Sequence, residues 1–173
     1  MFGLGKSRKI RDGYIQQCSV ILGTYKLART LGQHIIDESG LDEFGSKLYE
    51  ATYLLGVFDS VAQAIDQEGK YLTQDFILEA ANHCLVGYEI FPEDEVEGIM
   101  SFPVLAQNKP AIISLQVAGG EAARKCIDAI LDGEDVAGGA FKAMSLDYFK
   151  DKKQLKDFKK FFEDYIKNPN KSK

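Results

Sequence analysis

Apolar positions recur at intervals of three and four along most of this chain, the spacing that puts them on one face of a helix. Tyr14, Cys18, Ile21, Tyr25, Ala28, Gly32 and Ile35 line such a face, and they predict a long helix over about 13–38 with Gly40 as its stop. Phe44, Leu48, Ala51, Leu55, Phe58, Ala62 and Ile65 continue the pattern, and Leu54, Val57, Val61 and Ala64 add a neighbouring stripe. A helix apolar on so much of its circumference belongs in the middle of a bundle. Gly69 closes it.

Thr73 is the expected N-cap of a third helix, about 74–91, with Ile77, Ala80, Cys84, Tyr88 and Phe91 facing inward. Pro92 opens a short acidic helix. Glu93, Asp94 and Glu95 fall in its first turn, where carboxylates meet the positive end of the helix dipole, and Pro103 closes it. Asn108 followed by Pro110 reads as a cap and start for a fifth helix reaching about Leu131, with Gly133 as its end. A shorter helix is expected over roughly 135–144, and a last one from about Leu146 or Lys152 to Lys167. No strand-like alternation and no Asn-Gly hairpin turn interrupts the series.

The pattern therefore predicts an all-α, single-domain bundle of six or seven helices, with the second and fifth central. Residues 1–12 read as a basic flexible N-terminus, 13–167 as the helical domain and 168–173 as a disordered basic tail. Val117-Ala-Gly-Gly returns as Val136-Ala-Gly-Gly, too short an echo for a repeat architecture. Small residues of this kind let helices approach closely. Gly23, Gly56 and Gly87 fit the same account, although each costs a helix about 1 kcal/mol against Ala.

Composition narrows the setting. The three cysteines, Cys18, Cys84 and Cys126, are odd in number, far apart and outside any CxxC, so buried free thiols in a cytoplasmic protein are expected rather than a disulfide framework or zinc site. The longest charge-free run, Gly13 to Tyr25, is too short to span a bilayer. No apolar leader follows the basic start, and Phe at position 2 excludes N-myristoylation.

The formal net charge of −5 hides an asymmetry. Lys6, Arg8, Lys9 and Arg11 make the start basic, and residues 150–173 hold nine lysines against four acids. Residues 12–149 hold eight basic groups against 22 acidic ones. An acidic body repels nucleic acid. The simplest account of the basic ends is that they fold back onto it.

Candidate chemistry is sparse. Gly3-Leu4-Gly5-Lys6-Ser7 resembles the end of a phosphate-binding loop but lacks the preceding strand and first glycine, so it reads as a basic terminus. His34 with Asp37 and Glu38, and Glu79 with His83, put ligand-capable groups one turn apart, yet the inward carboxylates of a bundle di-metal site are missing. His83 precedes Cys84, but adjacent helical residues point about 100° apart. No Gly-x-Ser-x-Gly occurs. No catalytic residue, metal or cofactor is nominated from the pattern.

Two acidic clusters remain, Glu93, Asp94, Glu95 and Glu97, and Asp132, Glu134 and Asp135. They suit a contact surface better than a catalytic site, because exposed carboxylates gain no useful pKa shift. In the last helix Leu155, Phe158, Phe162, Tyr165 and Ile166 form an apolar stripe ringed by Lys152, Lys153, Lys156, Lys159, Lys160 and Lys167. Docking on its own core is the expected use. Dimer or partner contact, or an anionic membrane surface met by residues 150–167, is the alternative. The expected function is a small protein-binding module of adaptor, immunity or regulatory type, presenting the acidic clusters to a protein partner. The rival is a ligand-, metal- or haem-binding helical domain around His83, Glu79 and His34.

Overall fold

Residues 2–37, 40–132 and 152–167 are described by a computed structural model, and six helices form among them. They are α1 (Phe2–Asp37), α2 (Glu43–Ile65), α3 (Gln74–Gly87), α4 (Val96–Leu105), α5 (Pro110–Leu131) and α6 (Lys152–Lys167). The all-α bundle is as the periodicity predicts. The expected helix at 135–144 and the tail 168–173 lie outside the described residues.

Helix α1 begins at Phe2, well before the start near residue 13 that the apolar stripe suggests. Lysine and arginine are good helix formers and no proline intervenes. The first turn has no acid to offset the dipole, so the hold comes from packing. The Arg11 guanidinium lies over the Phe76 ring at 4.7 Å and its Nε donates to the Tyr71 carbonyl at 3.5 Å. Lys6 Nζ sits 5.4 Å from the Tyr71 ring centroid. The basic start of the chain thus lies against the segment that follows α2.

That segment is pinned by one residue. Asp66 caps the end of α2 and accepts the backbone N–H groups of Lys70, Tyr71 and Leu72 at 3.2, 2.6 and 2.8 Å. Burial pushes its carboxyl up, but these three bonds outweigh it and hold the group below the ordinary aspartate value. At the other end of α2, Asp42 Oδ1 accepts the Gly45 N–H at 2.6 Å as an N-cap. Between the caps α2 is buried almost all round, with Asp59 the exposed exception in its second half before Ala62. Phe44, counted with the apolar stripe, is instead 56% exposed.

Contacts fix the helix directions. Tyr14 meets Phe58 and Tyr25 meets Glu50, so α1 runs antiparallel to α2. Arg11 meets Phe76 and Lys26 meets Glu89, so α3 runs with α1. The most extensive contact is between α2 and α5, the pair expected to be central. A Cβ on Gly56 would run into the Gln116 carbonyl, and one on Gly119 into the Tyr53 carbonyl, so two glycines let the backbones touch. The small-residue reading therefore holds for Gly56 and for Gly119 of Val117-Ala-Gly-Gly. It fails at Gly87, where a Cβ would meet nothing within 4 Å. The second copy of the motif, 136–139, lies outside the described residues.

Helix α6 docks on this core. Phe158 and Phe162 are buried, Phe158 meets Tyr49 edge-on at 5.1 Å, and Tyr165 meets Phe102 edge-on at 5.4 Å. Leu155, Phe158, Phe162 and Tyr165 of the expected stripe pack inward, Phe161 joins them, and Ile166 is instead 55% exposed. No described helix is long and apolar enough to cross a membrane.

Candidate functional site

The α3–α4 corner is built from backbone geometry upward. Helix α3 stops at Gly87, four residues before the expected end. Its close is a Schellman turn, in which the Glu89 N–H reaches the Val86 carbonyl and the Ile90 N–H reaches the Leu85 carbonyl, both at 2.9 Å. The turn needs a left-handed residue, and Glu89 takes that conformation at φ 56°, a place that favours glycine. Ile90 and Phe91 then bury their side chains. The Pro92 carbonyl accepts the N–H groups of Glu95 (3.2 Å) and Val96 (3.0 Å), folding Glu93–Glu95 into a tight turn. The acids therefore precede the helix rather than filling its first turn, which holds Glu97 alone. Pro103 lies inside α4 instead of ending it.

Ion pairs brace this corner. Lys47 on α2 bridges Glu95 at 2.7 Å and Glu43 at 2.9 Å, and its ammonium is held above the ordinary lysine range by those bonds, Glu95 first. Lys26 on α1 meets Glu89 at 2.8 Å. Lys26 and Lys47 thus pair with Glu89, Glu95 and Glu43, while Glu93, Asp94 and Glu97 neighbour Glu95 in sequence. Glu93, Asp94 and Glu97 are exposed and make no ion pair with a described residue. The sequence pattern does not suggest Glu43, Lys47, Lys26 or Glu89, because they come from α2, α1 and the turn after α3.

Glu89→Gly relieves the left-handed strain and gives up one exposed ion pair of small worth. The expected result is a melting temperature raised by about 2–4 °C. Glu89→Ala keeps the strain and loses the pair, so calorimetry should show no gain. Equal gains in both variants would mean that the turn carries no strain.

Asp132 does not join this corner. Asp132 follows α5, which runs in the same sense as α2, with Gln116 against Gly56 and Arg124 reaching Ser60. It therefore lies toward the C-terminal end of α2, whereas Glu95 is tied to the N-terminal end through Lys47. Glu134 and Asp135 lie outside the described residues. Asn108 does not cap α5. Lys109 holds that position with no side-chain hydrogen bond, and Pro110 follows at the first turn.

Glu79 and His83 are both exposed on α3, and the side chain of His34 is outside the described set. Among the described residues no three His, Cys, Asp or Glu groups converge on a metal position. His83 is exposed while Cys84 is buried, so the two do not share a face. Burial pushes the Cys84 thiol up, Cys18 up to about 12 and Cys126 up to about 11, which leaves little thiolate for nucleophilic work.

One buried polar group stands out instead. Glu50, 3% exposed, lies midway along α2. It accepts Arg29 Nε at 2.6 Å and Nη2 at 3.2 Å, and the Tyr25 hydroxyl at 2.8 Å. Burial raises its carboxyl above the ordinary glutamate value, and Arg29 and Tyr25 oppose that rise. With its oxygens engaged from inside the fold, Glu50 ties α1 to α2 and has no open face for a substrate.

Two grooves open elsewhere. A cavity of about 590 Å³ separates the start of α5 from α6, lined among others by Lys109, Ser114, Asp157, Lys160 and Phe161. A smaller one of about 250 Å³ follows the α2–α5 contact. Comparison of the chain with protein-family models, with curated proteins and with solved structures finds no match.

Proposed function

We propose that this chain is a helical protein-binding module whose α3–α4 corner receives a basic protein partner, as an adaptor, an immunity-type inhibitor or a regulatory subunit would. What supports the reading is the way the acids are held. Glu93 and Asp94 project from a turn, and Glu97 from the start of α4, both fixed by a Schellman close, two buried side chains and the Lys47 bridge, so little ordering entropy is lost when a partner lands. Glu89, Glu95 and Glu43 are already engaged by Lys26 and Lys47, and the three exposed carboxylates keep the field negative. Charge of that sign speeds encounter with a basic surface and rejects polyanions. No described cluster offers the nucleophile–base pairing that acyl or phosphoryl transfer needs.

The test is a charge-neutral variant, Glu93→Gln with Asp94→Asn and Glu97→Gln, compared with the wild type as bait in native mass spectrometry from the host. Binding of any captured protein is then timed at two salt concentrations. The expected result is an on-rate lowered about tenfold at low salt and a weaker salt dependence. A partner that binds the variant at the unchanged rate sinks the corner as the contact site. A small-molecule or metal adduct in place of a protein sinks the binding-module reading itself.

A further inference from the structure

The α2–α5 contact leaves a groove that packing alone does not explain. Its α5 wall runs from Ile113 to Arg124, about 16 Å of helix at 1.5 Å per residue. Gly56 and Gly120 floor it. Gly56 is required, because its backbone touches Gln116. Gly120 is not, since a Cβ there would meet the Gly56 carbonyl at 3.4 Å and Ser60 Cβ at 3.6 Å, ordinary contact. Helix α5 thus carries a destabilising glycine where alanine fits, and the effect is to keep the floor low.

The walls differ in chemistry. Ile113 and Val117 stand 46% and 53% exposed, one turn apart on the same wall. Asp59 rises from α2 between buried neighbours, and Glu121 lines the same groove from α5. Neither carboxylate makes an ion pair with a described residue. Burial pushes the Asp59 carboxyl up, and no partner opposes it. Arg124, the cation of this groove, donates its Nε to Ser60 Oγ at 3.2 Å and lies beyond ion-pair distance of both acids. Gln63 and Gln116 add amide groups.

We propose that the groove between α2 and α5 seats one arginine side chain of a protein partner, with its alkyl stem on Ile113 and Val117 and its guanidinium between Asp59 and Glu121. At about 250 Å³ the cavity falls below the range of about 300–1,000 Å³ that encloses a free small ligand, and it suits a single side chain whose backbone docks outside. Arginine rather than lysine follows from two carboxylates flanking one site, since the planar fork donates to both while an ammonium acts as a point charge. The assignment stands apart from the α3–α4 corner and does not need it.

The full-length protein is titrated with N-acetyl-arginine amide while its backbone amides are followed by NMR. N-acetyl-citrulline amide, N-acetyl-lysine amide and free arginine are run beside it. Expected are saturable shifts at Gly56, Asp59, Val117 and Gly120, with citrulline about tenfold weaker, the scale of one charge-assisted contact. Asp59→Asn should weaken arginine binding to the same degree. Glu121→Gln, on the other helix, repeats the test should the first variant fold poorly. The corner variant should bind arginine unchanged, so the fate of the corner and of the groove are read separately. The proposal is overturned by equal citrulline binding, by shifts that survive Asp59→Asn, or by shifts confined to residues 93–97. Tighter binding of the lysine amide or of free arginine overturns it too, by assigning the groove to another occupant.

Discussion

Replacing Arg29 with methionine is expected to lower the unfolding free energy by about 3–5 kcal/mol at neutral pH, the scale for stranding one member of a buried ion pair. Glu50 lies inside the core, and without the guanidinium only the Tyr25 hydroxyl remains of the two groups that oppose its desolvation. Glu50→Gln alone should cost less, because Arg29 keeps 31% of its side chain in contact with solvent and can hydrate. The double variant, Arg29→Met with Glu50→Gln, removes both charges and should recover most of the loss.

The pH dependence of the methionine variant has a definite sign. Its Glu50 carboxyl titrates above the ordinary value of 4.5, so in the window from 4.5 upward the folded state holds the proton that the unfolded chain has released. Stability then falls as pH rises through the folded pKa. Urea titrations at pH 5 and pH 7.5 should show a smaller deficit against wild type at the lower pH. A deficit that does not change with pH would mean that Glu50 is not the stranded charge.

Much of the fold was legible because burial writes a period into the sequence. The apolar step of three and four located α2, Pro110 marked the start of α5, and Thr73 marked the start of α3 by accepting the Phe76 N–H at 3.3 Å. Boundaries set by distant contacts were not legible. The start of α1 depends on Tyr71 and Phe76, which lie some sixty residues away. The end of α3 was misplaced because its left-handed position carries Glu89, while the nearest glycine sits two residues earlier.

The candidate sites divide the same way. The acids of the corner could be read from one stretch, but Glu43, Lys47, Lys26 and Glu89 enter from other elements. Glu50 gave a visible signal, a lone acid in the apolar run from Leu48 to Leu55, yet nothing local names Arg29 as its partner. Asp59 interrupts the same helix in the same manner. An acid in an apolar run marks a buried charge that needs a partner, as Glu50 has Arg29 and Tyr25.

The glycines at the α2–α5 contact make the second large prediction. Gly56→Ala is expected to destabilise by about 2–3 kcal/mol, because the added methyl must displace the Gln116 backbone rather than a flexible side chain. Gly119→Ala should cost a similar amount through the Tyr53 carbonyl. The two contacts lie at one crossing, so the double variant should cost clearly less than the sum: once the first methyl has moved the helices apart, the second finds room. Gly120→Ala supplies the contrast on the same helix, with stability equal to wild type or up to about 1 kcal/mol above it. Thermal and urea unfolding of the four variants decide the matter. If Gly56→Ala matches Gly120→Ala, the two backbones do not touch at this crossing, and the groove floored by Gly56 and Gly120 loses its basis along with the close packing.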